Sequence, residues 1–146
     1  MAIVRTDVPM TSALCEETIL KLVDTYPFLR TEVLTTTAFG RPVRTLTAGE
    51  GDRKVIYSAA HHANEWITTP LLLTFCEQLC ARLGDGGDME GQNIRDLLSR
   101  VTLVLAPAVN PDGIDLVTGA LDAETTAAAK AMPISPALML DRNIES

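Results

Sequence analysis

Two short apolar runs and the helical pattern between them organise the middle of the chain. Lys54–Ala60 and Val101–Ala106 are rich in β-branched, aromatic and other apolar residues over strand-sized lengths, which predicts two buried strands. The segment Ile67–Leu83 predicts a helix, because its apolar positions recur at a spacing that keeps one face inward. Those positions are Ile67, Leu71, Leu72, Phe75, Cys76, Leu79 and Leu83. Pro70 falls in the first turns of this helix, where a missing N–H costs little.

This order of elements predicts a strand–helix–strand unit. Strands joined by a long helical crossover lie parallel, and such a connection is right-handed. We therefore expect one core between the two strands and the helix. Its expected members are Val55, Ile56, Leu72, Phe75, Leu79, Leu103 and Leu105. Farther along, Ala120–Ala131 favours a helix by propensity, and Pro133 ends it.

His62 and Glu65 are the candidate chemical groups at the junction of the first strand and the helix. An imidazole and a carboxylate three residues apart can bind one cation where a strand ends at the histidine and a helix follows. The same spacing also suits a surface histidine followed by a glutamate that complements a helix dipole. The strand-to-helix junction, where α/β enzymes place their chemistry, favours the metal interpretation.

The sequence contains two histidines, His61 and His62. Only His62 has a glutamate three residues later, whereas His61 would pair with Asn64, and an amide is a much poorer zinc donor than a carboxylate. We therefore expect His62 to be the ligand of any bound metal. His61 is expected to orient the end of the strand.

A cluster of turn-forming residues follows the second predicted strand. Taken alone, Asn110–Gly113 predicts a tight turn, because proline presets φ, aspartate favours local hydrogen bonds and glycine accepts positive φ. Together with the pair at His62 and Glu65, this cluster also supports the metal interpretation.

Together these segments resemble the zinc carboxypeptidase family. Ala60–Pro70 resembles the zinc-binding signature of that family, and Pro107–Gly113 resembles the Asn-Pro-Asp-Gly turn that follows one of its central strands. Glu17–Tyr26 is similar to the first helix of the family, and Thr35–Leu46 is similar to its opening hairpin. The resemblance covers residues 13–116.

The resemblance implies a fold class, a cofactor and an activity. The fold is α/β, the N-terminal portion of a mixed-sheet domain with an opening hairpin and parallel strands flanked by helices. His62 and Glu65 would bind Zn²⁺ for the hydrolysis of peptides. His62–Trp66 and Val109–Leu116 look most like the bacterial branch that cleaves γ-D-glutamyl to meso-diaminopimelate bonds, so a cell-wall peptide is the expected substrate.

Several functional residues of the family cannot be mapped onto this sequence. They are a third zinc ligand, a glutamate that acts as general base, a tyrosine and the arginines that bind the substrate carboxylate. Asp141–Asn143 differs in order and spacing from the corresponding family segment, so no role is assigned to it. We expect residues 1–146 to be the N-terminal part of one catalytic domain, inactive alone, with residues 117–146 as an incomplete insertion.

Composition narrows the classes of partner. A hydrophobic content of 47% and a mean hydropathy of +0.17 are high for a small chain, so we expect exposed apolar surface and self-association. A net charge of −7 argues against nucleic acid. Neither a membrane span nor a signal peptide is visible, and a cytoplasmic location is expected. Cys76 and Cys80 are expected to be packed thiols, and Cys15 has no evident partner.

Two alternatives to the peptidase remain open from the residues. One is a non-catalytic fragment or partner-binding module that keeps the core without the chemistry. The other is a zinc-dependent deacylase of N-acyl amino acids, which also uses a histidine and a glutamate three residues apart. The Trp66–Thr68 segment and the Asn110–Gly113 cluster favour the peptidase.

Overall fold

The computed structural model describes residues 2–131, so Pro133 and Asp141–Asn143 lie outside the described residues. The helices are α1 (Ser12–Thr25), α2 (Thr68–Asp85), α3 (Ile94–Arg100), α4 (Pro111–Thr118) and α5 (Ala123–Ala131). The strands are β1 (Arg30–Thr36), β2 (Pro42–Ala48), β3 (Arg53–Ser58), β4 (Asp88–Met89), β5 (Gln92–Asn93) and β6 (Val101–Ala106). A 3-10 turn (Ala63–Glu65) precedes α2.

The main sheet has four strands in the order β1-β2-β6-β3. β1 and β2 form the expected antiparallel hairpin, β2 pairs antiparallel with β6, and β3 pairs parallel with β6. α2 and α3 lie in the long connection between the two parallel strands. The predicted mixed α/β fold, with an opening hairpin and a parallel pair flanked by helices, is confirmed.

One face of the sheet carries most of the core. Val55 lies opposite Leu103 in the parallel register, and Leu46 lies opposite Leu105 across the antiparallel pair. Leu46, Leu103 and Leu105 are buried. Side chains that alternate along a strand reach the same face at every second residue, so these positions meet under the helices. The core also includes α1 side chains such as Leu22.

Six of the seven residues expected in the core between the parallel strands and the helix lie there. Leu79, Leu103 and Leu105 are buried, and Val55, Leu72 and Phe75 are partly buried against the core. Ile56 is the exception, because 68% of its surface is exposed. It follows Val55 on the strand and therefore points to the opposite face, on a strand that forms the edge of the four-stranded sheet.

The inward face of α2 differs from the predicted one at two of its seven positions. The buried stripe runs through Thr69, Leu73, Cys76 and Cys80, a spacing of four, three and four residues. Leu71, which was expected to face inward, is 70% exposed. It precedes Leu73 by two residues, or roughly 200° of rotation about the helix axis. The prediction for Ile67 is wrong for the same reason, since Ile67 precedes Leu71 by one turn and is also exposed.

Two helix starts also differ from expectation. α1 begins at Ser12 rather than at Glu17, because the Thr11 hydroxyl accepts a hydrogen bond from Leu14 N at 3.1 Å and caps the helix. The cluster at Asn110–Gly113 is not an isolated turn but the start of α4, with Asn110 as the cap and a proline in the first turn. Residues that suit a turn also suit a helix start. The predicted helix near the end of the described residues is confirmed as α5.

An ionic cluster joins the opening hairpin to α1 and α4. Arg41, in the turn of the hairpin, donates to Asp115 and forms an ion pair with Asp112 at 3.4 Å. Asp115 is buried, and it also accepts from Ser12 N at 2.7 Å and from the Ser12 hydroxyl. Thr37 donates to Asp112 at 2.8 Å. Because a buried carboxylate without partners is costly, these contacts fix α4 relative to the hairpin.

Among residues 2–131, none of the helices has the combination of length and apolar character needed to cross a bilayer.

The first prediction concerns the shared core. Leu103→Ala should lower the free energy of unfolding by about 2–5 kcal/mol, because it leaves a cavity between β6 and the helices. Ile56→Ala is the matched control on the neighbouring strand and should change it by less than about 0.5 kcal/mol, because Ile56 is exposed. Urea denaturation measures both. Equal losses in the two variants would contradict the assignment of the core face.

The second prediction concerns Cys15, Cys76 and Cys80, which are free and buried; the packing expected of Cys76 and Cys80 is confirmed. Burial raises the pKa of Cys15 to about 12, while a hydrogen bond with Cys80 and burial raise the pKa of Cys76. The thiols should therefore resist a disulfide reagent at about pH 8 until the chain is unfolded. Rapid modification of the folded chain would contradict the packing.

The raised pKa of Cys15 also sets the sign of a pH effect. The thiol ionises near pH 9 when unfolded but only near pH 12 when folded, so its contribution to stability is present below pH 9 and is lost as the pH rises from there. The urea midpoint should fall more steeply above pH 9 for the parent than for Cys15→Ala.

Candidate metal centre

The loop after β3 carries the predicted metal ligands, and it is held against the loop after β6. The two strands are parallel neighbours, so both loops leave the same edge of the sheet. Ala59 N donates to Ala106 O at 2.9 Å, and Val109 N donates to Ala59 O at 3.1 Å. Asn110 N then donates to Ala60 O at 3.0 Å. Backbone pairing thus continues past the strand ends and brings the two sequence motifs side by side.

Ala60 ends the extended conformation of this loop. It is buried and has a φ of +50°, in the left-handed region that a non-glycine residue enters at a cost of about 1–2 kcal/mol. The Thr68 hydroxyl accepts from Ala60 N at 2.9 Å and donates to Glu65 O at 2.7 Å. One side chain from the first residue of α2 therefore closes the loop that contains His61 and His62.

His62 and Glu65 face each other across the 3-10 turn. His62 has extended backbone, and its carbonyl accepts a hydrogen bond from Glu65 N at 3.1 Å. The turn places Nδ1 of His62 3.3 Å from Oε2 of Glu65. Their side chains are 50% and 52% exposed, so both reach solvent.

This separation is within ion-pair range, and it also suits two ligands of one zinc ion. Zinc binds histidine nitrogen and carboxylate oxygen at about 2.0–2.2 Å, and two such ligands at a tetrahedral angle lie roughly 3.4 Å apart. The observed 3.3 Å between Nδ1 of His62 and Oε2 of Glu65 matches that distance. A nitrogen and an oxygen donor also form the mixed set that zinc accepts in catalytic sites.

His61 is directed away from this pair. Its Nε2 lies 2.9 Å from the Ser58 hydroxyl at the end of β3, and its carbonyl accepts from Nδ2 of Asn110 at 3.4 Å. The two adjacent histidines therefore have different surroundings. Trp66, just after the 3-10 turn, is partly buried and packs against the core, which fixes the entry to α2.

The start of α2 is anchored to the end of β6. The Thr69 hydroxyl is fully buried and donates to Pro107 O at 2.6 Å. Ile67 provides no side-chain cap, so Thr68 and Thr69 supply the polar contacts at this helix end. Sequence reasoning missed both threonines. The available signal was a pair of hydroxyl residues directly before Pro70, where helices begin.

Residues 2–131 contain no group of three or more histidine, cysteine, aspartate or glutamate side chains arranged to hold a metal ion. His62 and Glu65 are thus two candidate ligands among the described residues, whereas catalytic zinc sites use three protein ligands and a water. The pair can contribute part of a coordination sphere and leaves positions for other donors.

Comparison with known proteins relates this geometry to a family. The chain is 37% identical over 99 residues to gamma-D-glutamyl-L-diamino acid endopeptidase 1 of Lysinibacillus sphaericus. The match covers 68% of this chain and 25% of that enzyme. The chain thus spans about a quarter of the length of this relative.

Solved structures agree with the fold. A putative carboxypeptidase from Burkholderia mallei superposes with a TM-score of 0.51 at 31% identity, over 67% of this chain and 25% of that one. Thrombin activatable fibrinolysis inhibitor superposes with a TM-score of 0.67 over 81% of this chain and 30% of that one. At 17% sequence identity, this superposition supports the fold alone.

The model of the zinc carboxypeptidase family matches residues 15–131, a span that contains the hairpin, the His62 and Glu65 pair and the start of α4. The resemblance inferred from the sequence motifs is thereby confirmed. The chain belongs to the zinc carboxypeptidase family, whose members are metallopeptidases.

Proposed function

We propose that His62 and Glu65 supply two zinc ligands to a metallopeptidase that hydrolyses γ-D-glutamyl to diamino-acid bonds in cell-wall peptides. The observation that carries the proposal is the 3.3 Å separation of Nδ1 and Oε2, which suits two ligands of one zinc ion. Similarity to the Lysinibacillus enzyme supports the substrate class.

When bound, zinc supplies Lewis-acid chemistry, which polarises a carbonyl and lowers the pKa of a bound water. The residues of this chain provide the positions of the two ligands. Glu65 contributes negative charge that strengthens cation binding, and the imidazole of His62 must be neutral at its ligating nitrogen. Thr68 holds the loop in shape, and the exposure of the pair leaves access for a substrate.

A second candidate, a partner-binding module without catalysis, is favoured by one observation. Large apolar side chains on β3 and around the start of α2 are exposed: Ile56, Tyr57, Ile67 and Leu71. Exposed apolar patches of this kind mark protein interaction sites. The experiments below separate this candidate from the peptidase, because a binding module has no use for zinc at His62.

The third prediction is that zinc binds weakly at His62 and Glu65. A zinc titration followed by the imidazole resonances of His62 should saturate for the parent. Glu65→Ala should raise the dissociation constant for zinc by more than about tenfold, because loss of even an outer-shell partner lowers metal affinity by that factor. In His62→Ala, the remaining zinc affinity should fall by a similar factor, as measured by competition with a chromogenic chelator.

His61→Ala is the matched control for that titration, because it removes the adjacent imidazole and leaves both proposed ligands. It should bind zinc as the parent does. Equal affinity in the parent, His62→Ala and Glu65→Ala would rule out the assignment.

The fourth prediction concerns activity. The 146-residue chain alone should show no chelator-sensitive hydrolysis of γ-D-glutamyl-L-diamino acid peptides, because two ligands do not hold a catalytic zinc securely. A chimera that replaces the matched 99-residue segment of the Lysinibacillus endopeptidase with this one should hydrolyse them. His62→Ala in the chimera should reduce turnover to the level measured after metal removal.

Each part of this prediction, the inactivity of the isolated chain and the activity of the chimera, has a result that would contradict it. One is chelator-sensitive turnover by the isolated chain, which would mean that it completes a site by itself. The other is a folded, zinc-loaded chimera without turnover. Assaying the chimera with N-acyl amino acids tests the deacylase alternative, for which we expect no activity.

A further inference from the structure

We propose that Gly113 is a positioning residue for the metal pair. Because Gly113 has no side chain, the start of α4 packs closely against Ala63. This contact fixes the 3-10 turn that places Glu65 beside His62. The inference rests on the proposed metal function of that pair, and it assigns a role to a residue 48 positions beyond the second ligand.

The space at Gly113 is closed on the side of the metal loop. A Cβ atom added at this position would lie 2.9 Å from Cβ of Ala63 and 2.5 Å from Nδ2 of Asn110. Both distances are shorter than real Cβ atoms tolerate. The φ of Gly113 is outside the left-handed region, so space and not backbone conformation requires glycine here.

The two neighbours differ in their ability to yield. The Asn110 amide is the end of a rotatable side chain, although it caps α4 through Gly113 N at 2.9 Å. Cβ of Ala63 can move only with its backbone. Ala63 is buried and begins the 3-10 turn, which is closed by the hydrogen bond from Glu65 N to His62 O. A side chain at position 113 therefore meets this turn, and the contact is relieved only by a shift of the turn or of the start of α4.

Displacement of the turn acts directly on the ligand pair. Ala63 is the residue after His62 and lies two residues before Glu65, so its movement changes the spacing of Nδ1 and Oε2. A well-formed site has metal–ligand distances within about 0.2 Å of their typical values. Zinc affinity should therefore be more sensitive to this contact than the fold is.

The test is the zinc titration of Gly113→Ala, followed by the His62 imidazole resonances. We expect the dissociation constant for zinc to rise by more than about tenfold, while the chain keeps a cooperative urea transition. Gly84→Ala is the matched control, because Gly84 lies in α2 with no atom within 4 Å of an added Cβ. It should bind zinc as the parent does.

A pair of further variants isolates the contact with Ala63 and covers the case in which Gly113→Ala does not fold. Ala63→Gly removes the Cβ that a new side chain would meet. The double variant Ala63→Gly/Gly113→Ala should therefore fold and bind zinc within about threefold of Ala63→Gly alone. That result would trace the effect of Gly113→Ala to the contact between the two residues.

The outcomes distinguish this inference from the proposed function. If the parent does not bind zinc through His62, the proposed function fails and the inference fails with it. If the parent binds and a folded Gly113→Ala binds equally well, only the inference is overturned. A folded double variant that binds more than about tenfold worse than Ala63→Gly would also overturn it, because the contact would not be the cause.

Discussion

The parallel pairing of β3 with β6 is the interaction on which the rest of the structure depends. It aligns the two ends of a long connection and places the core residues of both strands under the same helices. The pairing continues through Ala59 and Ala60 after the strands have ended, where the backbone bonds to the loop that leads into α4. The loop that leads to His62 and Glu65 is therefore an extension of the sheet edge rather than a free surface loop. This origin explains how two half-exposed side chains can keep a defined separation.

Local sequence patterns predicted the elements of this arrangement well. The strand at Lys54–Ala60, the helix after it and the pair of His62 and Glu65 all follow from side chains close in sequence, where periodicity and spacing carry the information. The family resemblance added the hairpin and the first helix. Even the separation of the His62 and Glu65 side chains is set within four residues, by one 3-10 turn.

Features that depend on distant neighbours were not predictable in the same way. Ile56 has the apolar, β-branched side chain of a core residue, and only the strand order shows that it lies on an edge strand. Leu71 fits a helical apolar pattern, yet the rotation of α2 is decided by what packs beneath it. The ion pair of Arg41 and Asp115 joins residues that are 74 positions apart, and no local sequence pattern predicts it. Asn110 fits a turn and a helix cap equally well until the following residues have a surface to pack against.

The left-handed Ala60 restricts how this chain can vary. The residue is buried, so a long or charged side chain has no room there, and its positive φ disfavours every β-branched residue. Glycine would relieve the strain but would loosen the unfolded and folded loop alike. Alanine is therefore a compromise between a tolerable backbone and a loop that keeps one shape. Substitution in this segment is therefore limited by backbone geometry as well as by the proposed metal chemistry, and a residue with no reactive group helps to define the candidate site.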